Sequence, residues 1–177
     1  VLDEQQLNGY LMLLIAAGND TTRNATTGGL VALLEHPVQC ARLCADPSLV
    51  PRAVDEILRW TSPVLSFLRT ATEDFVLNGQ PLRAGDTVCM FYPSANRDER
   101  AIDDPYRFDL TRHPNPHIAF GFGGHFCLGT NLARAELRSM LKALIPILSK
   151  LKLTGESRRI ANTHVSGYAA LGVALAV

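Results

Sequence analysis

The 177 residues suffice for one hydrophobic core and one domain. Seventeen Lys and Arg residues cancel seventeen Asp and Glu, and no basic block stands apart, which argues against nucleic acid or an anionic membrane surface as partner. The opening VLDEQQ lacks the basic segment of a secretory leader, so the four cysteines point to reduced thiols and a cytoplasmic setting. In chain order, Asp3 is placed to cap a helix whose apolar residues Leu7, Leu11, Leu14 and Ile15 continue, past a polar NDTTRN interruption, to Leu30, Leu33 and Leu34. Because the chain starts at Val1 inside this helical pattern, it is expected to be a piece of something longer. The most apolar stretch, YLMLLIAAG at 10–18, is too short to cross a bilayer and predicts a buried helix, with no transmembrane anchor.

Pro37 predicts a second helix through Cys44, closed by Asp46-Pro47, and Ser48 or Pro51 opens a third that ends at Trp60. Cys40 and Cys44 share a helix face. Their spacing, even with His36 added, matches no common zinc module, so two buried thiols are expected. From Ser62, β-branched and aromatic residues punctuated by Asn-Gly and Ala-Gly-Asp turns predict a small antiparallel sheet. Residues 93–119, rich in proline and charge, predict a meandering connection, and a loop that long inside a compact domain is usually functional. Beyond it, Leu132, Leu137, Leu141 and Leu144 mark one face of a helix, and LKLTG and YAALGVALAV predict short strands. No internal repeat is visible.

Between the meander and the last helix lies FGFGGHFCLG, residues 120–129, with four glycines and three phenylalanines around the single Cys127. A cysteine where a glycine-rich loop enters a helix meets free backbone N–H groups and the positive end of the helix dipole, both of which favour negative charge on sulfur. Glycines let the backbone turn sharply and approach a flat object closely. A thiol nucleophile would need a histidine base and open access, whereas Phe120, Phe122 and Phe126 predict a crowded, apolar site suited to an axial metal ligand.

This stretch resembles the haem-binding loop of the cytochrome P450 family, with Phe120, Gly123, His125, Cys127 and Gly129 in every fixed place. Two further motifs agree. AGNDTT at 17–22 is similar to the family's oxygen-activating helix, and DEILRW carries its Glu-x-x-Arg pair as Glu56 and Arg59. The resemblance implies a mainly α fold with small β-sheets, in which residues 1–177 form the C-terminal, haem-binding half of a single P450 domain and the N-terminal half is absent. It implies haem b held by Cys127, with Phe120, Gly121, Gly123, Gly129, Ala17 and Gly18 around it and Arg69 and His125 on the propionates. By the same resemblance Thr21 hydrogen-bonds dioxygen, Asp20 relays protons, and Arg107 joins the Glu56–Arg59 pair in a buried ion network.

The implied activity is hydroxylation of a lipophilic substrate with O2 and electrons from NAD(P)H. A ferredoxin-type donor would deliver them, meeting a basic surface near Arg134 and Arg138. Leu13, Ala16, Val64, Leu65, Phe67, Val165 and Tyr168 are the expected substrate contacts. AGNDTTRN, FYPSANRDE and NPHIAFGFG are similar to actinobacterial members that act on sterol side chains and methyl-branched lipids. A peroxide-using haem-thiolate enzyme and a non-catalytic haem-binding remnant share the cysteine loop and stay open at the level of sequence.

Overall fold

The computed structural model describes residues 2–155 and 157–176. Helix α1 runs unbroken over Glu4–Glu35. Asp3 accepts from the Gln6 N–H at 2.8 Å while the Gln6 side chain accepts from the Asp3 N–H at 3.1 Å, a reciprocal cap that satisfies donors the first turn leaves bare. The polar interruption does not break the helix. Its hydroxyls turn inward along the axis, with Thr21 donating to the Ala17 carbonyl at 2.8 Å and Thr26 to that of Thr22 at 2.9 Å. Pro37 then opens α2 (Pro37–Ala45), and one 3-10 turn, Pro47–Leu49, leads into α3 (Val50–Thr61). Ser62, at a left-handed φ of 41°, stops α3.

Two ladders follow where one small sheet was expected. Strand β1 (Ser66–Thr70) pairs antiparallel with β4 (Thr87–Phe91), and β2 (Phe75–Leu77) pairs with β3 (Gln80–Leu82) as a separate hairpin. The hairpin turns on Asn78 and Gly79, both at positive φ, the geometry that Asn-Gly favours. Pro81 in β3 brings no N–H, which weakens any wider pairing. After the short α4 (Tyr92–Ala95), an irregular meander leads to the cysteine loop and α5 (Thr130–Leu148). The tail forms β5 (Leu151–Leu153), β6 (Arg158–Arg159), β7 (Tyr168–Ala170) and β8 (Val173–Leu175). They pair β5 with β8 and β6 with β7.

The core sits where the second half of α1 meets α2, α3, α5 and the meander, around Leu33, Leu43, Val54, Ile57, Phe108, Leu110 and Leu148. Gly29 lets α1 and α3 touch, since a Cβ there would lie 2.7 Å from Ile57 Cγ2. Two burial expectations are corrected. The stretch 10–18 is exposed along its whole length, because no element among the described residues packs on that half of α1, and burial begins at Asn24. Leu132 is also exposed; the face α5 turns to the core is Leu137, Leu141 and Leu148, with Leu144 at its margin. Cys40 is buried and Cys44 half-buried. Burial, and then the Cys44 thiol beside it, push the Cys40 thiol up to about 11. No cluster of three metal-ligating side chains occurs among the described residues.

Candidate functional site

Helix α3 carries two successive carboxylates that face different partners. Glu56 is fully buried with Arg59, whose Nε and Nη2 donate to its two oxygens at 2.8 Å each. Arg59 places its remaining donors on the carbonyls of Asn96, Pro105 and Arg107 at 2.9, 2.7 and 3.2 Å. Glu56 takes three more donors, the Asp109 N–H at 2.8 Å, Asn115 Nδ2 at 3.1 Å and Arg112 Nε at 3.2 Å. Every polar atom of the buried pair is thus satisfied, the condition under which burying charge is tolerable. The second cation is Arg112, which corrects the expectation of Arg107. The Arg107 side chain is 59% exposed and reaches Asp109 at 3.5 Å, while its carbonyl serves as an acceptor for Arg59 and Arg112. The chain turns at Asp104, at positive φ, whose carbonyl accepts the Arg107 N–H at 3.1 Å.

Asp55, one residue earlier, faces the cysteine loop. It accepts from Arg134 Nε at 3.0 Å and lies 3.5 Å from His117 Nε2. Burial pushes its carboxyl up, yet the hydrogen bonds from His117 and Arg134 outweigh that and hold it below the usual carboxylate range. Arg134, expected to face an electron donor, therefore has an internal partner. The loop itself is closed by the Cys127 N–H donating to the Phe120 carbonyl at 2.9 Å and by Gly121 donating to Ile118 at 2.8 Å. Gly121 and Gly123 hold φ of 76° and 73°, conformations that side chains disfavour. A single 3-10 turn, Gly123–His125, lifts Cys127 to the head of α5.

The crowding expected of the phenylalanines is corrected too. Cys127 is exposed, Phe126 is exposed, and Phe122 is 87% exposed; only Phe120 packs inward, against His117 and Phe126. These rings are presented on an open face of this chain. Arg69, on β1, finds only its neighbour's Leu68 carbonyl at 2.9 Å, and His125 is exposed in the loop. Neither pairs with a carboxylate among the described residues.

On α1, Leu13, Ala16, Ala17 and Gly18 are exposed, and a Cβ at Gly18 would meet nothing within 4 Å. Asp20 pairs with Arg23 at 2.8 Å. Val64 bridges to Val165, the Leu65 N–H donates to the His164 carbonyl at 2.8 Å, and the Phe67 ring meets Tyr92 and His164 edge-on. The structure thus brings Val64, Leu65 and Phe67 to the 164–165 segment. Tyr168 lies under Arg159 instead, and with Leu65 it lines a cleft of about 1250 Å³ in which Asp20, Thr21 and Cys127 take no part. Sequence reasoning missed Arg112, Asn115, Asp55 and His117. Asn115 and His117, inside NPHIAFGFG, and Asp55, beside Glu56, stood within or next to motifs already singled out, and Arg112 did not.

The family model for cytochrome P450 matches residues 1–154. The chain belongs to the cytochrome P450 family. It is 45% identical over 174 residues to a methyl-branched lipid omega-hydroxylase of Mycobacterium tuberculosis, covering 97% of this chain and 41% of that protein. Identity is 46% over 146 residues to a steroid C26-monooxygenase of Mycolicibacterium smegmatis, covering 82% and 36%. Among solved structures, CYP109E1 from Bacillus megaterium in complex with corticosterone superposes with a TM-score of 0.94 at 37% identity, over 99% of this chain and 48% of that one. The P450 chain described above therefore spans about two fifths of the curated relatives it matches.

Family membership implies haem, and the residues present fit one. Cys127 belongs to no cluster of three metal-ligating side chains among the described residues, too few for a bare metal ion, but one thiolate can complete an iron whose other ligands come from a porphyrin. The open glycine edge of the loop leaves room for a flat ring, with nothing within 4 Å of a Cβ built at Gly123 or Gly124.

Proposed function

We propose that the protein is a haem-thiolate monooxygenase that hydroxylates a lipophilic substrate, with Cys127 as the residue that would hold the haem iron. The observation that carries this reading is the placement of one exposed sulfur, outside any cluster of three metal-ligating side chains among the described residues, at the head of α5 in a loop closed by its own backbone. When bound, haem b supplies the activation of O2, so that one oxygen atom enters a C–H bond and the other leaves as water with two electrons and two protons. Those electrons come from NAD(P)H through a ferredoxin-type carrier, in a cytoplasmic setting consistent with free thiols.

The chain's own residues then have separate tasks. Cys127 would hold the group, Phe120, Gly121, Gly123 and Gly129 would shape the loop against it, and Arg69 and His125, without carboxylate partners among the described residues, would bind its propionates. Ala17 and Gly18 would keep their stretch of α1 clear of side-chain bulk. Thr21 moves a proton at Oγ1 and Asp20 resupplies it; to do so Thr21 must give up the Ala17 carbonyl and Asp20 must give up Arg23. The apolar side chains of Leu13, Ala16, Val64, Leu65, Phe67 and Val165 suit a hydrocarbon-rich ligand, as do the names of the relatives acting on methyl-branched lipid and steroid.

The test is a reduced, carbon monoxide difference spectrum of the haem-loaded chain beside Cys127→His. The parent is expected to show the strongly red-shifted Soret band of thiolate ligation, and the variant to lose it while retaining haem. The same band in both proteins would remove Cys127 from the iron.

A further inference from the structure

We propose that Asp55 is a positioning residue for the cysteine loop, a single carboxylate that ties the strand of chain entering the loop to the helix leaving it. The inference rests on the reading of Cys127 as the haem ligand, but its geometry stands by itself. His117 lies ten residues before Cys127 and Arg134 seven after it, and both meet Asp55 Oδ1, at 3.5 and 3.0 Å. The Ala119 N–H donates to His117 Nδ1 at 3.2 Å, which leaves the ring proton on Nε2, facing Asp55. His117 is thereby fixed at both nitrogens.

The same two side chains flank the ring of Phe120. The Arg134 guanidinium lies 4.8 Å from its centroid, and the imidazole of His117 lies 6.0 Å from it. Phe120 in turn holds the cysteine, because its carbonyl accepts the Cys127 N–H at 2.9 Å. A short chain of contacts therefore runs from Asp55 through His117 and Arg134 to Phe120 and on to the backbone of Cys127. Asn96 supports the entry strand from the other side by accepting the Ile118 N–H at 2.8 Å. Asp55 stands on α3 beside Glu56, which is fixed in the buried ion network, so the anchor of the clamp cannot drift. Free of Asp55, the loop would keep its glycine turns but lose the contact that brings its two ends to one point.

Amide hydrogen exchange of the 177-residue chain, read residue by residue without haem, tests this in Asp55→Ala and Asp55→Glu. Loss of two part-buried ion contacts predicts that exchange at Cys127 and Gly121 rises about fivefold in Asp55→Ala, while the β1–β4 amides keep their rates and Asp55→Glu restores protection. Unchanged exchange at Cys127, or an equal rise at the β1–β4 amides, overturns the proposal. Should Asp55→Ala fail to fold, Arg134→Gln severs the exit contact alone and predicts about a twofold rise at Cys127, with no rise again overturning it. The readout needs no iron, so a parent chain lacking the thiolate spectrum would defeat the haem assignment and leave this clamp to be judged on exchange alone.

Discussion

Replacing Arg112 and Arg107 by alanine, one at a time, separates the two cations that could complete the Glu56–Arg59 network. The Arg112 side chain is 9% exposed and donates to Glu56, which is fully buried, as well as to the carbonyls of Asp104 and Arg107. Arg112→Ala removes one charge-assisted bond from a carboxylate that water cannot reach, a loss of about 1.5–3 kcal/mol, and empties the space around it, for about 3 kcal/mol in total. Against a domain stability of about 5–15 kcal/mol that is a large fraction. The melting temperature should fall by about 10 °C, as followed by far-ultraviolet circular dichroism. Arg107→Ala removes an exposed side chain whose one ion pair is 3.5 Å long, so its effect should stay within about 0.5 kcal/mol and 2 °C. Equal shifts for the two variants, or a larger one for Arg107→Ala, would refute the assignment of the network.

Gly18→Ala should stabilise the chain by about 1 kcal/mol, since Gly18 lies inside an exposed helix with nothing within 4 Å of a new Cβ. A lowered melting temperature would show that the fold itself needs the glycine. The Cys40 thiol, pushed up to about 11 by burial and then by Cys44, contributes stability that is fully present below its unfolded value near 9 and is lost as pH rises through 11. Urea midpoints of the parent and Cys40→Ala should therefore converge between pH 9 and 11, and a constant difference would count against the shift.

What could be read from sequence divides along a physical line. Helix starts were legible because caps and prolines act over three or four residues, as at Asp3 and Pro37. The cysteine loop was legible because glycines at positive φ and a lone sulfur have few other uses. Burial was not, because periodicity reports that a helix has an apolar face and says nothing of what covers it; Leu11 and Leu14 share their pattern with Leu33, yet only Leu33 lies in the core. The partner of Glu56 was missed for a related reason. In an irregular meander no period relates residue number to direction, so the match of DPYRF to the family pattern pointed to Arg107, while it is Arg112 that reaches Glu56. Asp55 was overlooked because a carboxylate beside a motif resembles a solvated helix face until its partners, 62 and 79 residues away, come into view.

The candidate catalytic side chains share no hydrogen bond with one another, so their alignment must come from the helices that carry them. Thr21 stands eight residues before Gly29, about 12 Å along α1, and Gly29 is where α1 touches Ile57 of α3. A tilt of about 10° at that contact would displace Thr21 by about 2 Å, more than a hydrogen bond tolerates. Cys127 is set by the same helix from its other faces, through Asp55 at the loop ends and Glu56 at the meander. Adjacent residues on a helix point about 100° apart, which is how two neighbouring carboxylates on α3 can serve two different segments. Helix α3 touches no predicted catalytic residue, yet it fixes the line of the helix bearing Thr21 and the loop bearing Cys127. The satisfied interior and the exposed loop are therefore joined through α3, whose buried Glu56–Arg59 pair fixes the meander and whose half-buried Asp55 meets both ends of the cysteine loop.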